Sequence, residues 1–220
     1  MQNILDKVIN YEKYKYRTIS FLSKYKRIII PLIILLTYVC LYFFIDSSSQ
    51  SLVAHDEGLY AKRSRLIEES SNWFSSPFIK PHHKTLGSYW FIALSIRLFG
   101  RNELALRLPS ILSSFLCLIS SYLITVQISN KKTAFIALFS LSSMPLWIQY
   151  SRYASPDIPF VLSILLLILF FLKFLDSTNN LYKYFYILYS GFFFSFSFFI
   201  RSYMAFIPLL GLSPFVIKHL

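Results

Sequence analysis

The chain has 220 residues, 55% hydrophobic and 19% aromatic, with 22 Lys and Arg against 10 Asp and Glu for a formal net charge of +12. The apolar residues gather in long uncharged runs rather than in an alternating or heptad pattern, which excludes a water-soluble domain and points to a membrane protein. So basic a balance suggests nucleic acid in a soluble domain; here the cations flank the apolar runs, which speaks against a nucleic-acid partner.

In chain order, a basic segment, 1–27, comes first, with Lys7, Lys13, Lys15, Arg17, Lys24, Lys26 and Arg27. An uncharged run, 28–45, follows, near the roughly 17 to 25 residues that a spanning helix needs. Cations massed ahead of the first span place the N-terminus in the cytoplasm, and without a small-residue cleavage site the segment reads as a retained anchor. Residues 46–104 then form a long outward loop. In it Leu59, Arg63, Leu66 and Ile67 recur at helical spacing, predicting an amphipathic helix on the membrane surface, and Trp73, Phe74 and Phe78 add interfacial aromatics. A second segment, 88–99, is too short to span and stops at Gly100, with a turn at Arg101 and Asn102.

Uncharged runs at 108–130, 133–151, 158–172, 184–200 and 202–217 predict five further spans, the last carrying Pro208 and Pro214. The expected architecture is therefore an all-α polytopic membrane protein of about six transmembrane helices, 105–220 forming a bundle of five. Alternation puts the 130–132 turn and the 173–183 loop inside, and the turns near 151–157 and 201 outside. Cys40 and Cys117 fall in predicted spans and read as small apolar residues rather than a disulfide. The five glycines make neither a phosphate loop nor a dinucleotide fingerprint. The adjacent His82 and His83 are poorly placed for one metal ion, so neither cofactor nor metal is expected.

Carboxylates at a membrane edge are costly to hold ionised and mark function unless a partner explains them. Asp157, in YSRYASPDIPF, stands at the outer edge; the alternative to function is a helix N-terminal carboxylate favoured by the macrodipole. On a helix Asp56 faces Leu59 and Tyr60, and Glu57 faces Tyr60 and Ala61, so neither finds a local ion pair, although Asp56 also suits a helix N-cap. Glu68 and Glu69 have Arg65 three and four residues before them and read as structural. Lys62, Arg63, Arg65, Lys80, Lys84, Arg97, Arg101 and Arg107 lie together in the outward loop against the positive-inside trend, and an anionic lipid head group is the partner they suggest, a solvated face the plainer one. Arg201, the sole charge between Lys183 and Lys218, falls at another outward turn.

Three strings, HDEGLYAKRSRLIEESSNWFSSP, KTLGSYWFIALSIRLFGRNELALRLPS and YSRYASPDIPF, in this order and spacing, resemble the first half of the lipid-linked aminoarabinose transferase and protein O-mannosyltransferase family. The resemblance runs from about Ala54 to Ser213 and implies a C-type glycosyltransferase bundle that takes a sugar from a polyprenyl-phosphate carrier on the outer side of the membrane, the inner membrane in a bacterium. It matches Asp56 to the catalytic carboxylate, with Glu57 beside it and Asp157 after the third span as the other acids of the site. It matches Lys84 and Arg201 to carrier-phosphate contacts, with Arg63 and Arg152 as supporting cations, and places Tyr60 and Arg107, the latter in Arg-Leu-Pro-Ser, on the substrate. Many members have arginine at Leu59 and Pro-Pro at Thr85 and Leu86, and members usually continue through several more spans, so the resemblance covers an N-terminal half.

The chemistry implied is inverting transfer, with Asp56 as base toward an acceptor on lipid, glycan or protein and the cations steadying the departing phosphate. A non-catalytic membrane module, or an inactive fragment of such an enzyme, is the rival reading; it keeps the spans and tolerates loss of Asp56 and Asp157. A transporter is the weaker rival, because it needs ionisable residues within the bundle and the spans contain almost none.

Overall fold

The computed structural model describes residues 33, 37, 51–52, 56–70, 72–74 and 85–219, the side chains of Asp56 and 214–219 excepted. Two compact units divide the chain, Met1–Val39 and Cys40–Leu220, and the elements described below belong to the second. The expected first span, 28–45, lies outside the described residues apart from the helical Ile33 and Thr37. Among the described residues the secondary structure is helical throughout, without a strand.

The stretch expected as an outward loop supplies α1 (Asp56–Glu69) and α2 (Gly87–Phe99), which pack on each other. α1 buries Tyr60, Ala61, Ser64 and Ile67 against Tyr89, Ile92, Ala93 and Ile96 of α2, with Leu106 and Ala154 completing the cluster. This corrects the expected stripe of Leu59, Arg63, Leu66 and Ile67: the buried face is turned by about one residue and meets protein, leaving Leu66 exposed. Small side chains decide the face, since Ala61 and Ser64 let the helices approach closely enough for Ser64 Oγ to donate to the Tyr89 carbonyl at 3.2 Å.

α2 stops where the sequence expected. Gly100 adopts φ 85, in the left-handed region that glycine enters without a Cβ penalty, and its N–H returns to the Ile96 carbonyl at 2.9 Å. Two residues on, the Asn102 side chain accepts from Ala105 N at 2.8 Å and caps α3 (Glu103–Ile128). With 26 residues α3 is about 39 Å long, enough to cross a bilayer. Asn130 then caps α4 (Lys131–Ser143), accepting from Lys132 N and Thr133 N at 3.0 Å each.

The stretch 133–151, expected as one continuous span, is broken. α4 ends at Ser143, Met144 is extended with ψ 125, and a new short helix, α5 (Pro145–Ser151), begins. Pro145 is the cause: it has no N–H to give the preceding turn, its ring disfavours helical backbone at the residue before it, and it is at home in the first turn of a new helix. α6 (Asp157–Asp176) and α7 (Asn180–Arg201) follow, then a 3-10 turn (Ser202–Ala205) and α8 (Phe206–His219).

Three stretches among the described residues are long and apolar enough to cross a membrane: Glu103–Ile128, Asp157–Asp176 and Asn180–Ser213. Large apolar side chains such as Leu112, Leu116, Leu123, Phe192 and Leu210 stand exposed on them, as lipid-facing residues do, and the protein is membrane-embedded. α3 buries the small residues Ser110, Ser114 and Cys117; Ser110 Oγ donates to the Ser155 carbonyl just ahead of α6 at 3.0 Å, and Cys117 Sγ lies 3.9 Å from the Ile158 carbonyl in α6. The connections separate two ends. At one, Gln127 donates to Asp176 at 2.7 Å beside the caps Asn130 and Asn179; at the other gather Arg107, the 151–157 turn and Arg201. The second end holds the candidate site.

Candidate active site

Glu57 lies in the first turn of α1, and its carboxylate is buried with 1% exposure. Oε1 accepts from Arg107 Nε at 3.0 Å and from the Ala154 backbone N–H at 2.8 Å, while Oε2 accepts from Arg107 Nη2 at 2.9 Å. Arg107, itself 3% exposed, also donates to the Ser51 carbonyl at 3.2 Å. The sequence left Glu57 without a local partner; its partner is fifty positions away. Buried charges survive only when paired and hydrogen-bonded, and this bidentate pair ties the start of α1 to the second turn of α3 and to the loop ahead of α6. Glu68 and Glu69, expected to be held by Arg65, pair instead with Arg101, at 2.6 and 2.8 Å. Their carboxylates hold the Arg101 guanidinium above its ordinary pKa, the Glu68 hydrogen bond contributing most.

Asp157 is the first residue of α6, where a carboxylate complements the macrodipole. It also has a distant partner: Arg201, the last residue of α7, donates through Nη2 to Asp157 Oδ1, and both side chains are partly exposed. Arg201 Nε is buried without a hydrogen-bond partner among the described residues.

Between these two ion pairs opens a cleft of about 600 Å³. Glu57, Tyr60, Asp157 and Arg201 supply its polar wall, and Trp147, Tyr150 and Tyr153, from α5 and the turn after it, supply an aromatic one. Trp147 Nε1 is a second buried donor with no partner among the described residues. A smaller cleft of about 180 Å³ shares Tyr60 and Arg201 and is bordered by Thr85, Ser88 and Ser202. A third, about 480 Å³ and lined almost wholly by apolar side chains such as Phe171, Ile187 and Phe194, opens between α6, α7 and α8.

Of the residues expected at the site, Glu57, Tyr60 and Asp157 line the larger cleft with Arg201, and Arg107 stands directly behind Glu57. Arg63 does not line it; its Nη1 donates to the Tyr89 hydroxyl at 2.8 Å and its guanidinium lies 5.8 Å from that ring. Arg152 follows α5 at its C-terminal end and is not among the described lining residues. Asp56 begins α1, but its side chain, like the whole of Lys84, lies outside the described residues. Sequence reasoning missed the aromatic wall. Its signal was the string PLWIQYSRY, where Trp147 and Tyr150 stand three apart after a helix-starting proline.

Comparison with known proteins places the fold. The chain is 28% identical over 149 residues to an uncharacterised protein of Aquifex aeolicus, covering 66% of this chain and 28% of that one. It is 31% identical over 146 residues to the undecaprenyl phosphate-alpha-4-amino-4-deoxy-L-arabinose arabinosyl transferase 2 of Pseudomonas fluorescens, covering 65% of this chain and 25% of the relative. The crystal structure of ArnT from Cupriavidus metallidurans bound to undecaprenyl phosphate superposes with a TM-score of 0.74 at 21% identity, covering 86% of this chain and 35% of that one. The fold is thus that of a polytopic C-type glycosyltransferase, and the chain spans about a quarter to a third of its relatives' length. Residues 83–219, more than half of the chain, match the dolichyl-phosphate-mannose-protein mannosyltransferase family, and the chain belongs to that family.

Proposed function

We propose that this chain carries the carrier-phosphate end of a membrane glycosyltransferase that moves a sugar from a polyprenyl-phosphate lipid to an acceptor. The observation that carries the reading is the convergence of Glu57, Asp157 and Arg201 on one cleft at the end of a lipid-facing bundle, with a buried guanidinium nitrogen of Arg201 still unpartnered. A carrier of this kind has a long apolar tail and an anionic head, and the bundle's edge offers both environments within one helix length. The family match supports this reading, as do the relatives whose names and bound ligand specify undecaprenyl phosphate.

In the reaction, an acceptor oxygen attacks the anomeric carbon as the bond from that carbon to the phosphate oxygen breaks. The acceptor's proton passes to the Asp56 carboxylate, the leaving electron pair stays on the phosphate, and in-line attack inverts the anomeric centre. Arg201 and Lys84 neutralise the charge that grows on the phosphate. Asp157, engaged by Arg201, aims that guanidinium; Glu57, engaged by Arg107, holds the start of α1 and hence the backbone of Asp56. The seven cations ahead of 28–45 put the N-terminus in the cytoplasm and the cleft on the outer face of the cell membrane.

The test is sugar transfer by the membrane-embedded chain from labelled polyprenyl-phosphate sugars. Asp56→Asn abolishes transfer while leaving expression and insertion intact. Near-normal transfer by that variant sinks the assignment of Asp56, and binding of no polyprenyl phosphate by the unsubstituted chain sinks the carrier reading.

A further inference from the structure

The last turn of α7 is fastened from outside. A helix leaves its final carbonyls without intrahelical partners, and one of these, on the buried Ile200, accepts two hydroxyl hydrogen bonds: from Thr85 Oγ1 at 2.6 Å and from Ser88 Oγ at 2.8 Å. Both donors stand at the start of α2, more than a hundred residues away in sequence. Between them sits Gly87, packed so tightly on α7 that a Cβ there would lie 2.4 Å from Phe199 Cδ1 and 2.7 Å from the Phe199 carbonyl oxygen. Only a residue without a side chain permits this approach.

We propose that Thr85 and Ser88 are positioning residues that aim the Arg201 guanidinium into the carrier-phosphate site by fixing the peptide plane that joins Ile200 to Arg201. The inference rests on the carrier reading of Arg201 given above. A carbonyl oxygen has two lone pairs, and a donor on each leaves the peptide little freedom to rotate. The Ile200 carbonyl carbon is bonded to Arg201 N, so the plane so fixed includes Arg201 N and Cα and sets the point from which the Arg201 side chain leaves the backbone. The next residue shows the same constraint: Ser202 is at φ 54, a left-handed conformation costly for any residue but glycine and kept only where the surroundings enforce it. Thr85 and Ser88 border the smaller cleft together with Arg201, and so hold the backbone ahead of that residue while Asp157 engages its guanidinium.

The test is a double-mutant cycle read by binding of undecaprenyl phosphate to the full chain in lipid nanodiscs. Thr85→Val with Ser88→Ala weakens binding on the order of tenfold in the unsubstituted background, because the Arg201 contact that is misplaced is a hydrogen bond to a charged group, worth about that much. Thr85→Ser, which keeps the hydroxyl, binds as the unsubstituted chain does. With Arg201→Gln already present, the same pair of changes alters affinity by less than about twofold, because positioning has nothing left to position. Should the paired variant fail to fold, Thr85→Val alone, with the Ser88 bond kept, is read in the same cycle. Equal losses in both backgrounds overturn the inference and leave only a helix cap. Unchanged affinity in Arg201→Gln by itself overturns the carrier reading at Arg201 and the inference with it.

Discussion

Glu57→Gln separates a structural carboxylate from a catalytic one. The substitution keeps the shape of the side chain and an oxygen for Ala154 N, but removes the charge that faces Arg107 Nε and Nη2 at 3.0 and 2.9 Å. Arg107 is 3% exposed, so water cannot replace the lost partner. Breaking a buried ion pair from one side costs about 3–5 kcal/mol, and for a chain of this size each kcal/mol moves a melting midpoint by about 2–4 °C. A fall of roughly 6–20 °C is expected. The buried Cys117 supplies the assay, since its thiol reacts with a fluorogenic maleimide only once the bundle opens; Cys40→Ser leaves it as the single reporter. Adding Arg107→Met to Glu57→Gln removes the buried cation that has lost its carboxylate and restores most of the midpoint, as apolar replacement of whole buried pairs does. If Glu57 were instead the proton acceptor, Glu57→Gln would keep its midpoint and lose only transfer. That result, or a double variant no more stable than the single one, refutes the structural assignment.

Gly87→Ala places a methyl group against Phe199 and destabilises the α2–α7 crossing by about 1–3 kcal/mol, measured by the same thiol assay. Asn130→Ala removes a cap at the far end of the bundle and costs about 1 kcal/mol in that assay, with undecaprenyl phosphate binding unchanged because the cleft lies at the other end. Asp157→Asn leaves the midpoint almost unmoved, its pair with Arg201 being partly exposed, but lowers sugar transfer on the order of 10²-fold by letting the guanidinium drift. Transfer within about twofold of the unsubstituted chain removes Asp157 from the site.

What the sequence made legible was local. Gly100, Asn102 and Asn130 mark helix ends because a cap is written in one side chain and acts on backbone two or three residues away. Long apolar runs likewise announce α3, α6 and α7, since a bilayer asks only for length and hydropathy. The register of α1 was less clear: Tyr60, Ala61 and Ser64 form its buried face because α2 comes close enough to exploit small side chains, and closeness is set by tertiary contact. Ion-pair partners were hidden for the same reason. Arg65 was the nearest cation to Glu68 along the helix, yet Arg101 reaches that carboxylate from the turn between α2 and α3.

The hidden contacts at the cleft share a chemistry that explains why no motif reports them. Glu57 is fixed partly by the Ala154 N–H, Arg107 partly by the Ser51 carbonyl, and the peptide ahead of Arg201 by hydroxyls acting on a carbonyl. In each case one partner is backbone, which every residue carries, so sequence records only half of the interaction. The acids and cations at the cleft are therefore readable as residue types, while the geometry that brings them together is stored in backbone groups of Ser51, of the turn ahead of α6 and of the end of α7. Substituting Thr85 or Gly87 disturbs that geometry without touching a charged group. Such positions are where a change of function can hide from a comparison of motifs alone.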